Sequence, residues 1–261
     1  MDLQLNGKTA VVTGSTAGIG LAIATLLAHE GATVVVNGRT QERVEKAIKH
    51  IGSGAKTRGV AADLATARGV DEFVRQVPEA DILVNNLGIF EPKPFEEISD
   101  ADWLRFFETN VMSGVRLSRA YLPRMRERNW GRIVFVSSES ALQIPAEMIH
   151  YGMTKTAQIA IARGLAETCA GTGVTVNAVL PGPTASEGVK EFVGSLAEQN
   201  KQTSAEFEKE FFESARPTSL LQRFAKPEEV APLVAFLCSP LSAATNGAAL
   251  RVDGGVVKSP F

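Results

Sequence analysis

Thr9-Ala-Val-Val-Thr13-Gly14-Ser15-Thr16-Ala17-Gly18-Ile19-Gly20-Leu21-Ala-Ile-Ala-Thr-Leu-Leu-Ala28 joins three kinds of pattern in one stretch. The first five residues are a short β-branched run without alternation, as a strand covered on both faces requires. The last eight are apolar at helical spacing, and Gly31 follows as a stop. Between them lies G-x-x-x-G-x-G. Glycines let a backbone turn tightly and approach a diphosphate, and a helix N-terminus adds free N–H groups and a positive dipole end. Strand, glycine turn and helix together predict a nucleotide-binding unit, with Gly14, Ser15, Thr16, Gly18, Ile19 and Gly20 around the phosphates.

The alternation continues outward. Further strands are expected at 33–37, 56–62, 81–84, 131–138, 174–179 and 248–251, and helices at about 41–50, from near Thr66, and at 151–170. Ser99-x-x-Asp102 has the form of a capping box, opening a long helix that carries Asn110 and bends or ends near Pro123. Pro227-Glu-Glu begins another. Strands alternating with helices predict α/β architecture: one doubly wound parallel sheet with helices on both faces, in a single domain over 1–261. Residues 186–216 break the rhythm, with Phe192, Phe207, Phe211 and Phe212 among seven glutamates and three lysines. One or two amphipathic helices are expected there, as a lid over the strand ends.

Composition narrows the function. The chain has 261 residues, 44% of them hydrophobic, and a net charge of −2, with no long basic run to suggest nucleic acid or an anionic membrane. Two cysteines, Cys169 and Cys238, argue against a disulfide scaffold or a cysteine-rich metal site. The start, Met1-Asp-Leu-Gln-Leu-Asn-Gly7, lacks the basic and apolar regions of a signal peptide, and no apolar run approaches about 18 residues. A cytoplasmic protein is expected, with no metal.

Several strand ends carry chemistry. Strand two reaches Asn37 and then Gly38-Arg39, where an acid would hold ribose hydroxyls and an arginine suits a 2′-phosphate. Asp63, beside Leu64, can accept from an adenine amino group or cap the helix near Thr66. Tyr151-Gly-Met-Thr-Lys155 places a phenol and an ammonium one turn apart on one helix face. A close ammonium favours the phenolate, which would bring the tyrosine toward useful proton transfer.

These residues resemble the short-chain dehydrogenase/reductase family over nearly the whole chain. Thr13-Gly-Ser-Thr-Ala-Gly-Ile-Gly20 matches its TGxxxGxG turn, and Asn85-Asn-Leu-Gly88 is close to its NNAG, with leucine for alanine. Asn110, Ser138, Tyr151 and Lys155 match its tetrad, and Pro181-Gly182 its PG motif. The resemblance implies a Rossmann-like sheet of seven strands with a nicotinamide held over strands four to six. Tyr151 would be the proton donor or acceptor, Lys155 would lower its pKa and bond the nicotinamide ribose, Ser138 would hold the substrate oxygen, and Asn110 would position a water. Cofactor contacts are expected from the turn, Arg39, Asp63, Leu64, Asn86, Gly88, Tyr151, Lys155, Pro181, Gly182, Thr184 and Ser186. Three positions depart from the family. Ser186 stands where threonine is frequent and Thr184 where an aliphatic is usual. Ala17 stands where NADP-preferring members often have a basic residue.

The expected activity is NADP(H)-dependent interconversion of a ketone and a secondary alcohol, with NAD(H) as the alternative cofactor. Ile89, Phe90, Ile144, Pro145, Met148 and Phe192 are the pocket candidates, suiting a small molecule with an apolar portion. Alternatives are a 3-oxoacyl-thioester reductase, with Arg124, Arg126 and Arg128 as a carrier-docking patch, a polyol or sugar dehydrogenase, and a non-catalytic NADP-binding regulator. A homotetramer or homodimer is implied by the resemblance.

Overall fold

A computed structural model describes residues 2–189 and 202–260. Seven strands form one sheet: β1 (Thr9–Val12), β2 (Thr33–Gly38), β3 (Thr57–Ala61), β4 (Ile82–Asn85), β5 (Gly131–Val136), β6 (Val174–Pro181) and β7 (Ala249–Val252). Their spatial order is β3-β2-β1-β4-β5-β6-β7, and every pairing is parallel. A parallel neighbour must be reached by a crossover, and helices supply it. Strand order reverses between β1 and β4, which opens a crevice beyond their carboxyl ends.

The pleat divides each strand between two cores. Ala10, Val12, Val34 and Val36 pack with Ile23, Leu27 and Val234 on one face. The intervening Val11 and Val35 pack with Phe73, Leu117 and Tyr121 on the other. Helices α1 (Gly18–His29), α2 (Gln41–Ile51) and α8 (Pro227–Cys238) cover the first face; α3 (Ala67–Gln76), α5 (Ser113–Glu127) and α6 (Ile149–Glu167) cover the second. Helix α4 (Asp100–Phe107) precedes α5, and α7 (Ser204–Ser214) follows β6. Among the described residues, no helix is long and apolar enough to cross a membrane.

The capping box is formed: the Ser99 hydroxyl accepts from Asp102 N at 3.2 Å, and the Asp102 carboxylate accepts from Ser99 N at 3.2 Å. The long helix differs from expectation. It runs through Pro123 to Glu127 and opens earlier, in a π-helical turn at Glu108–Met112 centred on Asn110. Gln158 Nε2 of α6 donates to the Asn110 carbonyl at 2.6 Å, so a tertiary partner serves that carbonyl where the helix widens. Strand β5 stops at Val136. Ser137 and Ser138 lie beyond it, and a 3₁₀ turn follows at Glu139–Ala141.

Candidate active site

The glycine turn is held from below. Thr13 Oγ1 accepts from both Asn86 N and Leu87 N at 2.9 Å, tying the end of β1 to the end of β4. Asn86 Nδ2 donates to the carbonyls of Thr13 and Gly14. Gly14 and Gly18 have φ of +59° and +55°, the left-handed region that favours glycine. A β-carbon on Gly20 would fall 2.4 Å from Asn86 Nδ2 and 2.5 Å from the Gly14 carbonyl, so this turn excludes a side chain. Ala17 contributes no side-chain cap to α1, and its first turn carries no acid. Its amides are thus left for an external anion. This donor set and this side-chain-free cradle fit a dinucleotide diphosphate.

Thr16, Gly18, Ile19, Arg39 and Lys155 line a cleft of about 2280 Å³ that runs from the end of β2 to α6. Ser15 does not face it. Its hydroxyl is buried, donating to Val12 O and accepting from Asn37 N, so it shapes the turn from inside. Asn37 is likewise 2% exposed, its amide spent on Val60 O, Ala62 O and Gly14 N. Gly38 ends β2, where a β-carbon would press on Thr16. Arg39 is exposed beyond it. The Leu64 side chain lies in the core, so the expected cofactor contact falls to its backbone. Asp63 accepts from Ala65 N at 3.2 Å, and Thr66 is the cap of α3.

On the far side, Pro181 ends β6. A β-carbon on Gly182 would meet the Asp253 carbonyl at 2.4 Å. Thr184 is buried and donates to Gly182 O at 2.9 Å. Ser186 packs against Gly18, closing the turn from above. Gly88 lies between Lys155 and Asn110.

Helix α6 aligns Tyr151, Lys155 and Gln158 on one face, at spacings of four and three. Tyr151 and Ser138 both line the smaller cavity, and the Ser138 hydroxyl favours the Tyr151 phenolate. Ser137 is turned the other way, donating to Lys155 O at 2.8 Å. Asn110 Oδ1 accepts from Ile89 N at 2.8 Å, and its Nδ2 donates to Ile89 O and Thr154 Oγ1, both at 3.0 Å. Lys155 Nζ donates to Val136 O at 3.0 Å and Gln158 Oε1 at 3.2 Å, and stands 5.6 Å from the Tyr151 ring centre.

Electrostatics here differ from the simple phenol–ammonium picture. Burial pushes the Tyr151 phenol up to about 12; the Ser138 hydroxyl pulls it down, Glu139 raises it and Arg216 lowers it. Burial brings Lys155 down to about 8. Burial thus moves the two groups in opposite directions, each toward its neutral form.

A second cavity of about 220 Å³ adjoins Tyr151 and Ser138, walled by Phe90, Met148, Phe207, Phe211 and Phe224. Ile89 lines the large cleft instead. Ile144 does not reach the cavity: half-exposed, it rests on Gly152, where a β-carbon would collide with it. Phe192 lies outside the described residues. The sequence analysis missed Phe224, Gln158, Glu139 and Arg216. Gln158 had a signal, since it continues the Tyr151–Lys155 face by one turn. Glu139 and Arg216 form a buried ion pair at 3.1 Å across 77 positions, which no local pattern announces.

A parallel sheet with a diphosphate cradle and a tyrosine–lysine helix defines a Rossmann-like oxidoreductase. The family model described as short chain dehydrogenase matches residues 8–196, and the chain belongs to that family. "Uncharacterized oxidoreductase YvaG" of Bacillus subtilis is 52% identical, with both chains covered in full. A 3-oxoacyl-[acyl-carrier-protein] reductase of Aquifex aeolicus is 35% identical, covering 98% of this chain and all of the relative. The solved L-sorbose reductase of Gluconobacter frateurii, complexed with NADPH and L-sorbose, is 35% identical with a TM-score of 0.94, covering 99% of this chain and all of that one.

Proposed function

We propose that this protein is an NADP(H)-dependent oxidoreductase that interconverts a ketone and a secondary alcohol, with Tyr151 as proton donor or acceptor. One observation carries the reading: Tyr151 stands where the large cleft meets the small apolar cavity, which Ser138 also lines. When bound, the nicotinamide supplies or accepts the hydride. The chain does the rest. Ser138 orients the substrate oxygen, Tyr151 passes the proton to or from that oxygen, and Lys155, brought down to about 8 by burial, replenishes it. Asn110 and Gln158 fix Lys155 and the mouth of the cleft. The exposed Arg39, following a strand end that carries no acid, supports NADP(H) over NAD(H), as does the NADPH in the sorbose reductase neighbour.

The relatives act on chemically different carbonyls, so the substrate is a matter for this chain's own pocket. Helix α7 serves as its lid, with Phe207 and Phe211 on the cavity; residues 190–201 of the expected lid lie outside the described residues. We read the protein as cytoplasmic and as a homotetramer or homodimer, supported by exposed Leu104 and Phe107 on α4. The test is bleaching of NADPH absorbance with a panel of ketones. Turnover of at least one ketone is expected, and none across the panel overturns the reading.

A further inference from the structure

Glu139 follows Ser138 directly, and both line the small cavity. Its side chain is 4% exposed. Oε1 accepts from Arg216 Nε and from Ser140 Oγ, each at 3.1 Å. Oε2 has no hydrogen-bond partner among the described residues. A carboxylate offers about four acceptor positions. One of its two oxygens left unserved in an apolar setting is costly, and a ligand hydroxyl would relieve that cost.

The charges around it point to the same kind of ligand. Arg216 is shared: besides Glu139 it faces Glu147 at 3.5 Å and donates to Ala215 O at 2.8 Å. Two carboxylates thus flank one guanidinium, so its charge is already answered. Arg216 is not a free clamp for a substrate carboxylate; such a group would meet Glu139 first. Burial raises the Glu139 carboxyl, while Arg216 and Ser140 pull it down and Asp253 adds to the rise. Phe211, with its ring centre 5.8 Å from the Arg216 guanidinium, gives the cavity an apolar side for a carbon chain.

We propose that Glu139, held by Arg216, accepts a hydroxyl of the substrate, so that the enzyme takes neutral carbonyl compounds hydroxylated close to the reacting carbon and disfavours carboxylates. This rests on the carbonyl–alcohol activity proposed above. A purely structural role is the competing account: the pair would then only anchor the segment after α7 to the catalytic wall. That role affects every substrate alike, whereas hydroxyl recognition separates them.

The experiment compares matched pairs with NADPH: acetone against hydroxyacetone, 2-butanone against 3-hydroxy-2-butanone, and acetoacetate as the anion. The hydroxyketone of each pair should have the higher kcat/KM by roughly tenfold or more, expressed mainly in KM, and acetoacetate should fall below 2-butanone. Glu139→Gln should shrink the ratio, since the amide oxygen goes to Arg216 and only a neutral amide faces the substrate. Ratios near one in the wild type overturn the inference while leaving the proposed function standing, and need no variant to fold. A ratio unchanged in Glu139→Gln overturns it too, because the carboxylate is then only a strut. No turnover of any carbonyl removes the proposed function and this inference together.

Discussion

The Ser137 hydroxyl donates to the backbone carbonyl of Lys155 at 2.8 Å, so the strand end that presents Ser138 is bolted to the helix that presents Tyr151. Two adjacent serines thus face opposite ways, Ser137 to the backbone of α6 and Ser138 to the small cavity. Ser137→Ala leaves a buried carbonyl short of a partner and should cost about 1–3 kcal/mol of stability, read by urea denaturation. Ser138→Ala removes the hydrogen bond that its hydroxyl accepts from Ser140 N at 3.1 Å, a smaller cost to stability, and should lower kcat by about a hundredfold or more. Equal effects of the two on kcat would contradict this division.

Cofactor choice should rest on Arg39. A charge-assisted bond to a 2′-phosphate is worth roughly 1.5–3 kcal/mol, so the preference for NADPH over NADH should be on the order of ten- to a hundredfold. The nearby Arg43 is committed to Glu187 at 2.9 Å, and Ala17 offers no charge, so a larger preference is not expected. Arg39→Ala should raise the Kd for NADPH and leave that for NADH nearly unchanged, measured by fluorescence titration. Arg39→Lys should recover part, because a point charge lacks the guanidinium fork. An unchanged ratio in Arg39→Ala would remove the assignment.

His150 gives the fold an acid limit. It is fully buried between Trp103 and Phe106, and neither ring nitrogen has a partner among the described residues. Burial lowers its pKa below the ordinary 6.5; Asp102 and Glu91 oppose the shift, and Arg105 and Lys93 reinforce it. Below pH 6.5 the unfolded chain binds a proton that the folded chain resists. Stability contributed by the neutral ring is therefore complete above that pH and falls as pH drops, by at most about 1.4 kcal/mol per pH unit. His150→Phe should flatten the stability profile between pH 6.5 and 5 in thermal scans, if the ring is the source. An unaltered slope would place the source elsewhere.

Leu104 on α4 is 65% exposed, with Phe107 on the same helix, an apolar pair expected to lie against another copy of the chain. Light scattering at micromolar protein should give two or four chains. Leu104→Glu should shift the population toward smaller species. A monomeric wild type would contradict the assembly.

Much of the architecture was legible because each local choice agrees with the global one. The uninterrupted Val35 and Val36 demand a sheet buried on both faces, and Gly20 sits where no β-carbon fits. What the sequence hid depends on contacts between distant positions. Asn37 looked like a ribose-facing strand end, but the pleat turns it inward to Val60 and Ala62. The π-helical turn at Asn110 takes form with Gln158, 48 positions away. Burial outweighs neighbouring charge at Tyr151, a balance that needs the folded wall to be seen. Ile144 lies close to Tyr151 in sequence yet rests on Gly152, and the Leu64 side chain belongs to the core.

The central claim is that Tyr151 carries the proton to or from the substrate oxygen. Its most direct test is Tyr151→Phe, with turnover and NADPH affinity measured on the same preparation. The account predicts loss of nearly all turnover with the NADPH Kd within about threefold of wild type, since only the proton path is removed. Retention of more than about a tenth of wild-type kcat would contradict it.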